Sequence, residues 1–378
     1  TKKEIKKVKI AFIIDKAQTF QIIASLLYEG LYRKHDCTLF CNFLPKELGF
    51  FGSPGASPDI VNDPNLKWVQ HNDKNWLIKK VSSERSKYDA VVGINLFNKG
   101  WAPLYQNENP GNYSLEYCWN EIYNQVKPFN SSTTLFCNSE ASKKIISDLS
   151  SYPMLEAYGS PWFDFLSLCK ALKKNYSHRV VTVLVPHNSF YIKNPKLSKG
   201  FDQILRKIVS WCNRNNAKTV LKTRQKYLTK LDSLGSTVVS DKDASSHLQL
   251  YANSDVVINF CSGAINELAF LEVPYLCLGN DLQKQLHTDR MHHPGIQRLH
   301  DSYYSGDIFD GIHCDVLDSK EMLSDIVVKK IENLIQSQKD WKSFQATHFP
   351  GNHQGAAIRI MDRIEQDNVK LNQASGDV

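Results

Sequence analysis

The segment that follows Asp255 combines residue types able to bind an anion. Its apolar run, Asp255–Phe260, predicts a buried strand that ends in a turn of small residues, Cys261–Ala264, with a helix directly after it. Small turn residues allow backbone N–H groups and the Ser262 hydroxyl to approach a ligand, and a helix N-terminus favours phosphate. Glu267, one turn into that helix, can accept hydrogen bonds from ribose hydroxyls. An ordinary strand–turn–helix with Ser262 as the helix cap is the alternative.

Two basic residues follow another predicted strand, Thr219–Lys222. Ligands of open α/β sheets bind beyond the carboxyl ends of the strands, so Lys222 and Arg224 are placed to neutralise a diphosphate. Solvated charges at a strand end are the alternative for both residues.

Two more candidates come directly after the first strand of each half of the chain. Asp15 follows the run Val8–Ile14, where it can deprotonate a hydroxyl as a general base or cap the next helix. His187 follows the strand Val180–Val185, where it is either an active-site group or a strand-end histidine held by its own loop.

Histidines cluster after residue 286, and this cluster is a weak metal candidate. His292 and His293 are adjacent, a poor spacing for one metal ion, and the nine cysteines form no CxxC pair. We therefore predict no metal. Arg290 and His292 are instead expected to line the ligand site, with a plain surface loop as the alternative.

The elements that position these residues alternate between apolar strands and amphipathic helices, which is typical of parallel α/β sheets. The pattern restarts at Val180 and predicts two separate sheets, with an N-terminal domain over residues 1–165 and a C-terminal domain over 179–350. A final helix, in the segment 351–370, has a buried stripe that suits a crossing back to the N-terminal domain. Residues 98–113 read as a long loop, the residues from Leu371 as a polar tail, and no internal repeat is evident.

Composition excludes several classes of protein. The chain has 378 residues, of which 42% are hydrophobic and 22% charged, too apolar for intrinsic disorder. No apolar run reaches the length of a membrane span, and no signal peptide is visible, so we expect a cytoplasmic protein. The net charge of +7 suits an anionic small molecule or peripheral contact of basic segments with an anionic membrane. No nucleic-acid motif, GxGxxG or GxxxxGK[ST] occurs.

Two motifs carry a resemblance to a known superfamily. Ser-Gly-Ala-x-x-Glu-x-x-x-x-x-x-Pro, from Ser262 to Pro274, resembles the nucleotide-diphosphate motif of two-Rossmann (GT-B) glycosyltransferases and of the UDP-GlcNAc 2-epimerase-like group. Residues Tyr158 to Asp164 are similar to the Gly-Asn-Pro-x-x-Asp element that closes the N-terminal domain there, with Ser160 in place of Asn. Val185-Pro-His-Asn188 is a third, weaker match, near the active-site histidine of the epimerases. The CDP-glycerol glycerophosphotransferases share the architecture.

The resemblance implies an α/β fold of two Rossmann-like parallel-sheet domains facing across a cleft. It implies a nucleotide-sugar donor on the C-terminal domain and a glycan or lipid-linked glycan acceptor on the N-terminal domain. The donor-binding residues would be Ser262, Gly263, Ala264, Glu267, Lys222, Arg224, Arg290 and His292, with Asp15 and His187 as catalytic residues.

We predict a metal-independent glycosyltransferase without a cofactor, active in surface polysaccharide or glycan synthesis. The alternatives are a CDP-linked polyol-phosphate transferase, a UDP-sugar 2-epimerase-like enzyme and a non-catalytic nucleotide-sugar-binding protein.

Overall fold

A computed structural model shows that the chain forms two compact units. The first comprises Thr1–Phe165 together with Ala346–Val378, and the second comprises Leu166–Gln345. The structure describes residues 7–14, 20–42, 62–94, 111–116, 133–149, 154–164, 166, 178–185, 195–223, 237–240, 244–260, 264–278, 314–317, 325–336 and 355–376.

The first unit is a seven-stranded sheet with helices around it. Its elements are β1 (Lys9–Ile14), α1 (Phe20–Tyr32), β2 (Asp36–Cys41), β3 (Leu66–Gln70), α2 (Lys74–Ser83), β4 (Ala90–Ile94), β5 (Asn112–Leu115), β6 (Thr134–Cys137), α3 (Glu140–Leu149), β7 (Leu155–Ala157) and, at the far end of the chain, α8 (Ala356–Gly376). The strand order is β3-β2-β1-β4-β5-β6-β7, and every described pair is parallel.

The second unit is a six-stranded sheet built in the same way. Its elements are β8 (Arg179–Leu184), α4 (Pro195–Arg214), β9 (Ala217–Thr223), β10 (Thr237–Ser240), α5 (Ala244–Ala252), β11 (Val256–Phe260), α6 (Ile265–Phe270), β12 (Tyr275–Leu278), β13 (Cys314–Leu317) and α7 (Ile326–Gln336). The order β10-β9-β8-β11-β12-β13 is again entirely parallel. The predicted fold of two separate Rossmann-like parallel sheets is therefore confirmed.

Burial explains why the central strands form where they do. Each unit opens with a strand in mid-sheet, and both β1 and β8 are buried at five of their six positions. Such strands lie between helices on both faces, so their sequences are continuous apolar runs rather than alternating ones. In the second unit α4 and α7 share one apolar cluster with β8, β9, β11 and β12, which includes Phe201, Trp211 and Ile331.

Helix α8 covers α1 in the first unit with an apolar stripe. Ala357, Ile360, Met361 and Ile364 are all buried, which confirms the stripe predicted from their spacing. The Met361 methyl group lies so close to α1 that a β-carbon on Gly30 would be 3.2 Å from it. The close approach of the two helices therefore depends on a residue without a side chain.

Some predicted elements were wrong or were missed. The expected polar tail from Leu371 is helical as far as Gly376, and α4 begins at Pro195 rather than Phe201. The sequence analysis did not predict α2, β5, β7 or β13. Strand β5 begins inside the segment 98–113 that was expected to be a loop, of which residues 98–110 lie outside the described part of the chain.

Candidate functional site

The predicted anion-binding turn follows β11, a central strand of the second sheet. Ala264 is buried, and its carbonyl accepts the Leu268 N–H at 2.9 Å, so it immediately precedes α6. Glu267 is half-buried in the first turn of α6, as predicted from its spacing. Helix α6 has only six residues, so its dipole contributes less to anion binding than a long helix would.

Strand register relates Lys222 to this turn. Lys222 pairs with Leu184 in β8, and Leu184 pairs with Asn259 in β11, so the three residues form one row at the carboxyl end of the sheet. Adjacent strands are about 4.8 Å apart, which places Lys222 about 10 Å across the sheet from the end of β11. The Lys222 ammonium lies 5.9 Å from the centre of the Tyr251 ring, a cation–π contact that fixes the side chain.

The structure thus places three of the ten predicted site residues, namely Lys222, Ala264 and Glu267, at the carboxyl edge of the second sheet. The other seven lie outside the described residues and remain predictions: Asp15, His187, Arg224, Ser262, Gly263, Arg290 and His292.

The first unit holds a candidate residue that the sequence analysis did not identify. Glu116 directly follows β5, and its side chain is completely buried. One carboxylate oxygen, Oε2, accepts the backbone N–H of Asn138 at 2.8 Å, and the other, Oε1, has no hydrogen-bond partner among the described residues. Burial raises the pKa of Glu116 to about 7, against the opposing effect of the hydrogen bond from the Asn138 N–H.

The position of Glu116 makes it a candidate functional group. It lies at the carboxyl edge of the first sheet, where open α/β folds bind ligands, and a carboxyl group with a pKa near 7 can both take up and release a proton at neutral pH. The signal available in the sequence was an acid directly after a short strand. That strand, Asn112–Leu115, has two polar residues in four and was not recognised.

The residues around Glu116 form the cap of α3. Ser139 Oγ accepts the Ser142 N–H at 3.0 Å, and the Ser142 hydroxyl donates back to the Ser139 carbonyl at 3.1 Å. This reciprocal cap holds Asn138, and with it the N–H group that points at Glu116, in a fixed position.

The motif from Tyr158 to Asp164 has a structural role within the first unit. Asp164 accepts the backbone N–H groups of residues 355–357 at 2.6, 3.3 and 2.9 Å and so caps the start of α8. Arg359 of α8 donates in turn to the Tyr158 carbonyl at 2.8 Å. Gly159 lies between these contacts with a φ of +86°, a conformation that favours glycine.

Within the described residues, no group of three or more His, Cys, Asp or Glu side chains is arranged to hold a metal ion. Among the helices described, none combines the length and the apolar character that a bilayer crossing needs.

The arrangement of two Rossmann-like parallel sheets, each in the order third-second-first-fourth, defines the GT-B fold. Comparison with solved structures supports this assignment along nearly the whole chain. The UDP-GlcNAc 2-epimerase of Methanocaldococcus jannaschii, solved in complex with UDP-GlcNAc and UDP, superimposes with a TM-score of 0.60 at 13% identity, covering 94% of this chain and 99% of that one. The UDP-N-acetylglucosamine 2-epimerase of Rickettsia bellii gives 0.60 at 14% identity, covering 97% and 98%.

A glycosyl-transferring relative has the same fold. The glycotransferase of kitacinnamycin superimposes with a TM-score of 0.54 at 12% identity, covering 96% of this chain and 99% of that one. No protein-family model and no curated protein sequence matches the chain. At these identities the likeness establishes the fold, and the chemistry has to be argued from the residues.

Proposed function

We propose that the protein is an enzyme that acts on a nucleotide-sugar. The observation that carries the proposal is the fold, which is shared over at least 94% of the chain with a UDP-GlcNAc 2-epimerase solved with UDP-GlcNAc and UDP and with a glycotransferase. The sequence after β11 supports the proposal, because it combines the small residues of the predicted turn with Glu267, whose carboxylate is half-buried in the first turn of α6.

In the proposed donor site the second unit binds the nucleotide. Backbone N–H groups of Ser262, Gly263 and Ala264 hold the diphosphate, and the Glu267 carboxylate accepts hydrogen bonds from the ribose hydroxyls. Lys222 and Arg224 add positive charge beside the diphosphate, as do Arg290 and His292. An acid close to a phosphate site is costly because like charges repel, so the proposal assigns the Glu267 carboxylate to the ribose hydroxyls and not to the diphosphate.

Glycosyl transfer is the first candidate reaction. The cationic residues would stabilise the leaving diphosphate while Asp15 deprotonates the hydroxyl of a glycan or lipid-linked glycan acceptor. This scheme requires neither a bound metal nor a cofactor.

Epimerisation is the second candidate, and Glu116 favours it. Inversion by proton exchange removes a proton from the sugar carbon next to the anomeric carbon while the electron pair of that C–H bond expels the diphosphate as a double bond forms. Return of a proton to the opposite face, with re-addition of the diphosphate, completes the inversion. A buried carboxyl with a pKa of about 7 suits that exchange, because at neutral pH both its protonated and its ionised forms are present. A carboxyl of ordinary pKa is almost entirely ionised at neutral pH and has no proton to donate. This reaction is one of the alternatives that the sequence leaves open.

A screen of nucleotide-sugar donors tests the proposal that both candidate reactions share, namely that the protein binds a nucleotide-sugar. Thermal melting should be measured with UDP-, GDP- and CDP-linked sugars and with CMP-linked sugars, because a ligand at 100 times its Kd adds about 2.7 kcal/mol to the free energy of unfolding. Failure of all these donors to raise the melting temperature would contradict a nucleotide-sugar enzyme.

The donor that raises the melting temperature is then used to distinguish epimerisation from glycosyl transfer. In D₂O, an epimerase incorporates deuterium at the inverted carbon without an acceptor, and proton NMR detects the exchange. A glycosyltransferase releases the nucleotide only when an acceptor is present. Glu116→Gln should abolish deuterium incorporation and leave donor binding intact. Undiminished incorporation in that variant would exclude Glu116 from proton transfer.

Glu267→Ala tests the donor site itself. A hydrogen bond to a charged group contributes roughly 1.5–3 kcal/mol, so donor affinity should fall about ten- to a hundredfold in calorimetric titration. Glu84→Ala is a suitable control, because Glu84 pairs only with Lys80 and Lys87 on the surface of the first unit in the contacts described. Unchanged affinity with a lowered melting temperature would make Glu267 a structural residue.

A further inference from the structure

The second unit has a charged groove on its helical surface. The groove has a volume of about 610 Å³ and lies between α4 and α7. Four basic and two acidic side chains line it: Arg206, Lys207, Arg214, Lys329, Asp325 and Glu332. This volume falls within the range of small-molecule sites, roughly 300–1,000 Å³.

Both acids of the groove already have partners on the opposite helix. The Lys207 ammonium lies 2.6 Å from Asp325 Oδ1, and the Trp211 indole N–H donates to Glu332 Oε1 at 2.7 Å. These two contacts join α4 to α7, while the apolar faces of the same helices pack in the core below. These contacts hold the two walls of the groove together. Lys207 compensates the charge of Asp325, whereas Glu332 keeps its negative charge because the indole N–H is neutral, so the four basic and two acidic residues leave a net charge of +2.

The remaining basic residues are exposed and available. Within the part of the chain that the structure describes, Arg206 and Lys329 form no ion pair, and Arg214 Nε makes only a long hydrogen bond of 3.4 Å to the Ser210 carbonyl. Arg206, Ser210 and Arg214 are spaced four residues apart, so they lie along one face of α4. Lys329 comes from α7, so positive charge is present on both walls of the groove.

We propose that this groove binds a small phosphate-bearing anion at a site separate from the nucleotide-sugar site. Guanidinium groups match phosphate oxygens with paired hydrogen bonds, and an ammonium group from the facing wall adds a third charge. The groove is of small-molecule size, so the proposal commits to a discrete anion, and vesicles serve below as the test of a membrane surface instead. The inference does not depend on the proposed enzyme activity.

Inorganic pyrophosphate is the probe, titrated by calorimetry into the full chain at constant ionic strength. The test variant is Arg206→Glu/Lys329→Glu, which leaves both inter-helix contacts in place. The control is Lys199→Glu/Lys218→Glu, which makes the same change in net charge at exposed residues of α4 and β9 that do not line the groove. Circular dichroism checks that both variants remain folded.

We expect the test variant to lose pyrophosphate affinity at least about tenfold, and the control to stay within about threefold, since distant surface charges are screened beyond about 10 Å. A parallel arm measures co-sedimentation with phosphatidylcholine vesicles containing about 30% phosphatidylglycerol. Two results would overturn the proposal. One is the absence of pyrophosphate binding, with or without groove-dependent binding to vesicles, and the other is a pyrophosphate affinity of the test variant that stays within about threefold of that of the control, as binding at the nucleotide-sugar site alone would give.

Discussion

In each unit an aspartate makes the same pair of hydrogen bonds between the two central strands, but the helices that cover the two sheets come from different parts of the chain. In the first unit Asp89, just before β4, accepts the Lys9 N–H at 2.8 Å, and its own N–H donates to the Lys9 carbonyl. In the second unit Asp255, just before β11, makes the same pair of contacts with Val180, at 2.6 and 2.8 Å. Each aspartate thereby fixes the register of the two central strands.

The two units differ in which part of the chain supplies the helices that cover each sheet. The second unit uses helices from its own continuous stretch of chain, packed by apolar contacts. The first unit uses α8, which returns from more than 180 residues beyond Phe165 and is held by charge as well as by its apolar stripe. Similar sheets can therefore depend on very different parts of the sequence.

Arg33 is the centre of the charged contacts to α8. Its guanidinium lies 2.6 Å from Asp362 and 3.0 Å from Glu365, and it also pairs with Glu29 of α1. These acids raise the pKa of Arg33 above its ordinary value despite partial burial. The neighbouring His35 ring lies 2.8 Å from Glu365, so α8 is attached at several points.

Truncation before Gly351 should have the largest effect, because it removes α8 from the first unit and no helix from the second. It removes Ile360, Met361 and Ile364 and exposes the surface of α1 that they cover. Burying three such side chains stabilises by about 6 kcal/mol, comparable with the whole stability of many domains. Limited proteolysis with mass spectrometry should show rapid cleavage of the first unit and continued protection of the second. Truncation after Leu371 removes the exposed residues Asn372, Gln373 and Ala374 with the end of the chain, leaves the buried stripe in place, and is the control. Unchanged protection of the first unit would show that it does not need α8.

Glu116→Gln should give the next largest effect, through pH. Because the pKa of Glu116 is raised in the folded state, to about 7, its protonated form favours folding. The stabilisation is complete below about pH 4.5, is lost as the pH rises to 7, and amounts to about 3 kcal/mol. Urea unfolding should show the variant more stable than the parent at pH 8 and similar to it at pH 4.5. An equal difference at both pH values would mean that the carboxyl titrates normally.

Asp164→Ala tests the cap of α8 and should cost the first unit about 1–2 kcal/mol. Three backbone N–H groups lose their acceptor, whereas Asp164→Asn retains one side-chain oxygen and should cost less. Chemical denaturation that resolves the two units measures both changes. A destabilisation confined to the second unit would contradict the assignment of this cap.

Asp89→Ala and Asp255→Ala should have the smallest effects and sharpen the similarity of the units. Each removes one hydrogen bond to a strand, so each should lower the free energy of unfolding of its own unit by about 1 kcal/mol. Hydrogen exchange of the Lys9 and Val180 amides reports the loss locally. If the two losses in the free energy of unfolding differ by more than about twofold, the two aspartates do not have equivalent roles.

The sequence predicted the fold well where burial alone decides the structure. The apolar runs that became β1, β8 and β11 were recognised within one residue at either end, because strands buried on both faces leave continuous apolar sequences. Strands β5 and β7 were missed because they have four and three residues and are held in place by their neighbours. Helix α2 was missed because only Leu77, Ile78 and Val81 face the core.

The candidate site was less predictable because it depends on register and burial. The spacing of Glu267 was sufficient to place it in the first turn of α6. The raised pKa of Glu116 arises from complete burial, which requires β5 to be recognised and the loop at Asn138 to be placed against it. Similarly, the aspartates before β4 and β11 are too isolated to form a repeat in the sequence.

The attachment of α8 has a consequence for synthesis on the ribosome. Residues up to Phe165 emerge before the whole of the second unit, and their last helix follows about 190 residues later. At 5–20 residues per second, the first sheet waits about 10–40 s with the outer face of α1 uncovered. During that interval the nascent chain exposes the apolar surface that Ile360, Met361 and Ile364 later cover, and a chaperone that shields α1 would raise the yield of native protein.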